Sequence, residues 1–258
     1  MVKKNGDLSG LDASQTGGRF ALLWFLLSSL GWIAGIISGG AAGAALGILA
    51  GEAAGRLVGW IAGEPASTAA AVALGLAVGW LVGGFVCGAV VGVCQRLALG
   101  DRIANAKRWV AASAVGGGLS GVSCGVLVGF SMLFAAGETF LGSSTGVIRS
   151  FGMIISLLVC GLLFLSFSAP AIGMAQWLLL NRQFPRSRSV YWLAAPLIVR
   201  PIEITMILLG VIAFWFLSPN GSFFASLALA LSALLGLCLT PLVTSGVMDW
   251  MLRNPGNT

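Results

Sequence analysis

The sequence contains no histidine, a single tyrosine and very little charge. Without histidine, the usual zinc sites and the histidine-dependent acid–base mechanisms are excluded. Charged residues make up 9 % of the 258 residues, whereas a soluble domain carries about 25 %. A globular protein of this length needs a far more polar surface, so the sparse charge indicates a polytopic membrane protein.

Cysteine is scarce, and no two cysteines form a C-x-x-C pair. All five fall inside apolar segments, where free cysteine behaves as a small buried apolar residue. We therefore predict no metal site, no cofactor and no disulfide. The sequence also lacks a P-loop and a base that could activate a nucleophile, so no residue is predicted to be catalytic and an enzyme is not expected. The cysteines are Cys87, Cys94, Cys124, Cys160 and Cys238.

What the sequence does contain is apolar residues, at 58 %, with a mean hydropathy of +0.99. Uncharged runs such as 109–137 exceed the roughly 20 residues that cross a bilayer. The formal charge of +6 comes from basic residues at helix ends rather than from one patch. This distribution favours membrane orientation over nucleic-acid binding, and the lipid bilayer is the first expected partner.

Glycine recurs at every fourth position over the first apolar segment, from Gly31 to Gly63. Glycine costs about 1 kcal/mol per helix position relative to alanine, so this spacing indicates helices whose backbones approach closely in a membrane. Similar spacing follows in the next two segments, with a one-residue shift at Gly83 and Gly84. The glycines predicted to pack helices are Gly31, Gly35, Gly39, Gly43, Gly47, Gly75, Gly79, Gly83, Gly117, Gly121 and Gly125.

Six transmembrane helices are predicted, and the fold class is an all-α membrane bundle. The first helix starts near Phe20 and either breaks after Gly51 or continues to the Glu64-Pro65 stop, with Glu52 and Arg56 able to pair four residues apart. The other helices are predicted at about 66–99, 109–136, 150–180, 191–217 and 223–250. Residues 1–18 and 253–258 are predicted tails, the first disordered, around one membrane domain at 19–252.

The basic residues predict the orientation of these helices. Eleven of the fourteen lie before the first helix or after the second, fourth and sixth, so both termini are expected to be cytoplasmic. The opposite loops carry weaker charge, as at Glu138 and Arg149, and the last hairpin closes at 218–221. The eleven are Lys3, Lys4, Arg19, Arg96, Arg102, Lys107, Arg108, Arg182, Arg186, Arg188 and Arg253.

An internal repeat organises the chain into three parallel two-helix units, at about 19–99, 100–182 and 183–253. Residues 92–97, GVCQRL, match 173–178, GMAQWL, and more loosely 246–251, GVMDWM. Trp24, Trp109 and Trp192 begin the odd helices and lie 85 and 83 residues apart. Parallel repeats predict a pseudo-threefold bundle, with these tryptophans in the cytoplasmic aromatic belt.

With these motifs the chain resembles a group of bacterial multi-pass membrane proteins, cyanobacterial or chloroflexus in type, that carry G-x-x-Q-W-x-x-L repeats. The resemblance rests on Gly92, Gln95, Gly173, Gln176 and Trp177, with a basic loop and a tryptophan after each repeat, and covers about residues 84–200. It implies a multi-pass topology and residence in a prokaryotic plasma or internal membrane. It implies no activity.

Two groups of polar residues lie within predicted spans. Arg200 and Glu203 are three residues apart near mid-bilayer, where an ionisable side chain indicates either a structural pair or a site for an anion, a proton or a polar substrate. Gln95, Gln176 and Asp249 occupy equivalent repeat positions near the cytoplasmic ends of the even helices. They predict either a polar ring on the bundle axis or separate interhelical hydrogen bonds and helix-end contacts.

Two functions follow from these features. A non-catalytic packing, assembly or accessory subunit of a larger membrane complex accounts for the glycine-lined helices and the short loops, and its partners would be other membrane subunits or further copies of the chain. A small transporter or channel accounts for the parallel repeats and for the charges at Arg200 and Glu203. The sequence slightly favours the first.

Overall fold

A computed structural model describes residues 12–100, 102–103, 106–140, 170–184, 186–217 and 222–254. Within these ranges the protein is all helical and contains no strand, as the sequence predicts for the fold class. The helices are α1 Asp12–Ala62, α2 Glu64–Leu99, α3 Ala106–Phe140, the described segment α4 Pro170–Leu180, α5 Arg186–Leu217 and α6 Ser222–Arg253.

Helix α1 is continuous through the whole glycine ladder and ends at Ala62. Gly63 separates it from α2 and has a φ of 84°, in the left-handed region that glycine adopts without a steric cost. Pro65 then lies in the first turn of α2, where its missing N–H is tolerated. The question left open by the sequence is answered: the chain turns at Gly63, and α1 does not break near Gly51.

The start of α1 differs from the prediction. Residues 12–18, expected within a disordered tail, form the first turns of α1, which begins at Asp12. These turns extend a helix that is fixed further along the chain by its packing against α2. Residues 1–11 and 255–258, the beginning of the fourth predicted helix, Arg149 and the 218–221 loop lie outside the described residues.

The helices form a closed circuit in chain order. Helix α1 contacts α2, α2 contacts α3, α5 contacts α6, and α6 returns to α1. Helices α3 and α4 approach closely at Gly116, where an added Cβ would lie only 2.6 Å from Ile172 Cα. Between α4 and α5, Trp177 Nε1 donates to Ser189 Oγ at 3.1 Å. The first and last helices are therefore neighbours, and the circuit encloses one buried centre.

Glycines allow the backbones of α1 and α2 to approach closely. A Cβ at Gly47 would lie 2.6 Å from the carbonyl oxygen of Gly75, and one at Gly51 would lie 2.7 Å from that of Ala71. From the other side, a Cβ at Gly83 would lie 2.9 Å from the Gly39 carbonyl oxygen. Real Cβ atoms do not come so close to a carbonyl oxygen, so this interface requires glycine on α1 from Gly35 to Gly51.

The one-residue shift in the α2 glycines gives this helix two contact faces. Gly75, Gly79 and Gly83 face α1, whereas Gly84, Gly88 and Gly92 face α3. One residue turns a helix by about 100°, so the shift redirects the glycine face from one neighbour to the next. On α3, Gly117, Gly121 and Gly125 complete the second contact against Gly84, Gly88, Trp80 and Ala77.

Two helical segments in the described part of the chain are long and apolar enough to cross a membrane by length and composition. They are Gly18–Ala62, with 45 residues, and Ala66–Leu99, with 34. Large apolar side chains are exposed along both helices, from Leu22 to Trp60 on α1 and from Val72 to Leu97 on α2. Helices that are apolar all round are typical of membrane spans or of the cores of large proteins, so both are compatible with a membrane protein.

Candidate functional site

Three tryptophans meet at the centre of the helix circuit. Trp24, Trp109 and Trp192, from α1, α3 and α5, are almost fully buried, and each ring contacts the other two edge to face. The centroid distances are 6.1, 5.7 and 5.6 Å. Aromatic pairs favour this geometry, so the three indoles, here called the tryptophan triad, fill the space that the circuit encloses at this level.

The triad corrects the prediction of an aromatic belt. Tryptophans in a belt would lie at the bundle surface, yet Trp24 and Trp109 are 0 % exposed. The physical reason is that the helices close into a circuit, which turns the equivalent positions of the odd helices towards a common centre. The sequence spacing identified the residues but did not indicate which side of each helix faces inward.

A hydrogen-bond network adjoins the triad and joins two of the three predicted ring residues. Gln95 Oε1 accepts from Trp109 Nε1 at 2.9 Å and from Gln176 Nε2 at 2.7 Å. Gln176 Nε2 also donates to Ser113 Oγ at 2.8 Å. Both glutamines are buried, and their bonds connect α2, α3 and α4. In a membrane such bonds contribute about 0.6 kcal/mol each.

Asp249, the third predicted ring residue, does not join this network. Its carboxylate forms an ion pair with Arg253 at 2.8 Å, one turn along α6. Because the pair satisfies the charge locally at the end of the helix, Asp249 has no need of an interhelical partner. The polar ring is therefore incomplete among the described residues, and the helix-end alternative describes Asp249.

Glu203 joins α5 to α6. It is 2 % exposed, and its Oε1 accepts from the backbone N of Thr240 at 3.0 Å and from Thr240 Oγ1 at 2.6 Å. Thr240 precedes Pro241, whose missing N–H interrupts the α6 hydrogen-bond ladder at this point. By accepting from the backbone N–H and the hydroxyl of Thr240, the Glu203 carboxylate fixes this part of α6 against α5. The side chain of Arg200 lies outside the described side chains, so its pairing with Glu203 stays a prediction.

Four residues of this region escaped the sequence analysis: Ser113, Ser189, Thr240 and Thr244. Thr244 Oγ1 accepts from Trp24 Nε1 at 3.4 Å, which connects the first helix to the last. A hydroxyl within an apolar helix gives little signal, because serine and threonine often bond their own backbone there. The available clue was position: Ser113 follows Trp109 by one turn, and Thr240 precedes a proline.

A large open groove runs along one side of the α1–α2 pair. Its volume is about 740 Å³, and its lining comes from residues 35–52 of α1 and 71–87 of α2. Apart from Glu52 at one end, the lining side chains are apolar or absent. Glu52 pairs with Arg56 at 3.3 Å, as the sequence predicted. At about 1.5 Å per residue, the groove extends roughly 25 Å along α1.

One short motif resembles that of a hydrolase, since residues 121–125 read GVSCG and so match G-x-S-x-G. A nucleophile elbow places this serine on a sharp turn between a strand and a helix. Here the segment lies within α3, and Ser123 Oγ donates to the Leu119 carbonyl oxygen at 3.1 Å. The motif therefore belongs to a helix, and its glycines Gly121 and Gly125 pack against α2.

Comparison of the chain with models of protein families, with curated proteins and with solved structures gives no match. No group of three or more cysteine, aspartate and glutamate residues suited to a metal lies in the described part of the chain. Two features therefore bear on function. They are the buried centre with its triad and amide network, and the open groove on α1 and α2.

Proposed function

We propose that this chain is a non-catalytic subunit of a larger membrane complex, and that the α1–α2 groove takes a membrane-spanning helix of a partner subunit. The chain crosses the membrane six times in three parallel two-helix repeats, with both termini cytoplasmic, in a prokaryotic plasma or internal membrane. The closed helix circuit and the meeting of equivalent residues in the triad support the repeat arrangement.

The observation that carries this proposal is Gly40. It lies in α1 and lines the groove, and a Cβ added there would meet nothing within 4 Å in the described part of the chain. The ladder glycines from Gly31 to Gly59 contact α2, whereas Gly40 has no such contact among the described residues. A glycine within a helix costs about 0.5–1 kcal/mol relative to alanine, so its presence favours a close approach from outside.

A partner helix explains Gly40 better than lipid does. An acyl chain packs against alanine as well as against glycine, whereas a helix backbone gains close contact only where side chains are small. Ala44 lines the groove one turn after Gly40, which completes a small-xxx-small pair. The groove is also long enough, at roughly 25 Å, to hold most of a helix crossing the ~30 Å hydrocarbon core.

The transporter alternative receives less support from the geometry. Glu203 lines neither the groove nor the small cavity beside the triad, and its carboxylate is held by Thr240. The three indoles fill the middle of the circuit, where a pore along the bundle axis would have to pass. A structural role for Glu203, fixing α5 to α6, is the simpler account.

The subunit proposal predicts that Ala44→Leu separates the protein from its complex, whereas Ala45→Leu does not. Both alanines are exposed on α1, but only Ala44 lines the groove, so the same substitution differs only in position. The measurement is native electrophoresis of membranes solubilised in mild detergent. Wild type and Ala45→Leu should migrate above the 26.4 kDa of a single chain, and Ala44→Leu should migrate as a single chain.

Two results would contradict the proposal. A wild-type protein that migrates as a single chain would show that it is no stable subunit, and an equal response to both substitutions would remove the groove from the interface. If the complex forms, its composition identifies the partner. A second copy of this chain gives a multiple of the single-chain mass, whereas a different subunit adds its own band on denaturation.

The six-span topology predicts the side of the membrane on which each turn lies. Reporters fused after Gly63, Gly100 and Asn254 should place the first outside and the other two inside, because α1 crosses outward, α2 returns, and the later helices cross four more times. Paired reporters active on opposite sides give the measurement. If Gly63 and Gly100 report the same side, α1 and α2 do not span the membrane separately.

A further inference from the structure

One member of the tryptophan triad is without a hydrogen-bond partner. Trp192 is 2 % exposed, and its Nε1 has no partner among the described residues. The other two members are satisfied, since Trp109 donates to Gln95 and Trp24 donates to Thr244. A buried indole N–H without an acceptor is unfavourable, and buried polar groups are almost always bonded to protein or to ordered water.

A small cavity adjoins this indole. Its volume is about 30 Å³, and its lining includes Trp192 together with Gln95, Gln176, Thr240 and Thr244. One water molecule needs about 10–15 Å³ of such volume and two to four polar partners. The cavity therefore has room for one water or two, and it is too small for an organic ligand.

The surrounding network determines which atoms could bond a molecule there. An indole N–H only donates, so the Gln95 atom that accepts from Trp109 is its oxygen. The Gln176 atom facing that oxygen must then be its amide nitrogen, which also donates to Ser113. Among the described residues, Gln176 Oε1 remains available as an acceptor and Gln95 Nε2 as a donor.

The two threonines complete the set. Thr240 Oγ1 donates to Glu203 and Thr244 Oγ1 donates to the Thr240 carbonyl oxygen, so the remaining lone pairs of both hydroxyls can accept. The cavity thus presents donors from Trp192 and Gln95 and acceptors from Gln176 and the threonines. A molecule that can accept two hydrogen bonds and donate two hydrogen bonds satisfies this arrangement. Water is the smallest such ligand.

We propose that this cavity binds an ordered water molecule that accepts from Trp192 Nε1 and joins the glutamine network to Thr240 and Glu203. The water makes the triad, the amides and the buried carboxylate one connected polar network at the bundle centre. This inference does not depend on the groove or on any partner subunit.

The test is nuclear magnetic resonance of the full chain in lipid nanodiscs with ¹⁵N-labelled tryptophan. Tyr191 is the only tyrosine, so adding ¹³C-carbonyl tyrosine labels a single Tyr-Trp pair and assigns the backbone amide of Trp192, while the indole signal that is lost in Trp192→Phe assigns its Nε1. The expected result is a dipolar cross-peak between the Trp192 indole proton and water. Trp109, bonded to Gln95, should give none, and exposed Trp60 should give only an exchange peak of opposite sign.

A matched pair of substitutions locates the water. Gly173 lines the cavity, and a Cβ there would lie 3.3 Å from Pro196 Cγ, so Gly173→Ala adds a methyl group beside the proposed water. Gly246 occupies the equivalent repeat position, and no described atom lies within 4 Å of a Cβ added there. The cross-peak should be lost in Gly173→Ala and kept in Gly246→Ala. Its absence from the wild type, or its persistence in Gly173→Ala, would overturn the proposal.

Discussion

Replacing Trp24 by alanine is expected to lower the free energy of unfolding by about 3–5 kcal/mol, the usual cost of removing a large buried aromatic side chain. The indole is 0 % exposed, contacts both other members of the triad and donates to Thr244. Its removal leaves a cavity at the point where α1, α3 and α5 meet, because the surrounding backbones are already held by their neighbours.

Trp60 provides the control for this substitution. It lies in the same helix but is 88 % exposed, so Trp60→Ala should change stability by no more than about 0.5 kcal/mol. Thermal or denaturant unfolding of the purified chain in detergent measures both variants. Equal losses for Trp24→Ala and Trp60→Ala would mean that the triad does not fill a packed centre.

Alanine at Gly43 and at Gly40 is expected to change stability in opposite directions. A Cβ at Gly43 would overlap the Gly79 carbonyl oxygen, so the α1 and α2 backbones must separate at a cost of about 1–3 kcal/mol. A Cβ at Gly40 meets nothing within 4 Å among the described residues, so Gly40→Ala gains the helix propensity of alanine, about 0.5–1 kcal/mol.

The same unfolding measurement distinguishes these two variants, three residues apart in one helix. A loss for Gly43→Ala with a gain for Gly40→Ala would show that the ladder positions are required by the contact with α2. If both substitutions stabilise the chain, the glycine spacing reflects composition, and close backbone packing does not explain it.

How far the sequence predicts this structure depends on the kind of signal. Glycine spacing indicated helices with close contacts, since a close backbone contact explains the cost of glycine at most ladder positions, and the Glu64-Pro65 stop agreed with the turn at Gly63. Repeat spacing identified Trp24, Trp109 and Trp192. It could not indicate that they meet, because the direction of each side chain depends on how the helices rotate as the circuit closes.

The polar residues show the same limit. Gln95 and Gln176 were found by their repeat positions and are bonded to each other, but Asp249, at the third such position, pairs with Arg253 on its own helix. A charged side chain four residues from an opposite charge can be satisfied locally, whereas a buried amide cannot. Thr240 and Thr244 gave little signal because their role depends on neighbours far away in the chain.

The contact between α1 and α6 determines when this protein can finish folding during its synthesis. Trp24 and Thr244 are separated by 220 residues, and a ribosome adds roughly 5–20 residues per second. The first helix is therefore made roughly 10–45 s before its last partner. In that interval α1 and α2 can already pair through their glycines, because they are joined by a short loop. The side of α1 that carries Trp24 still lacks its partner on α6. In the proposed membrane topology, lipid or the insertion machinery must cover that side of the hairpin until α6 has been made.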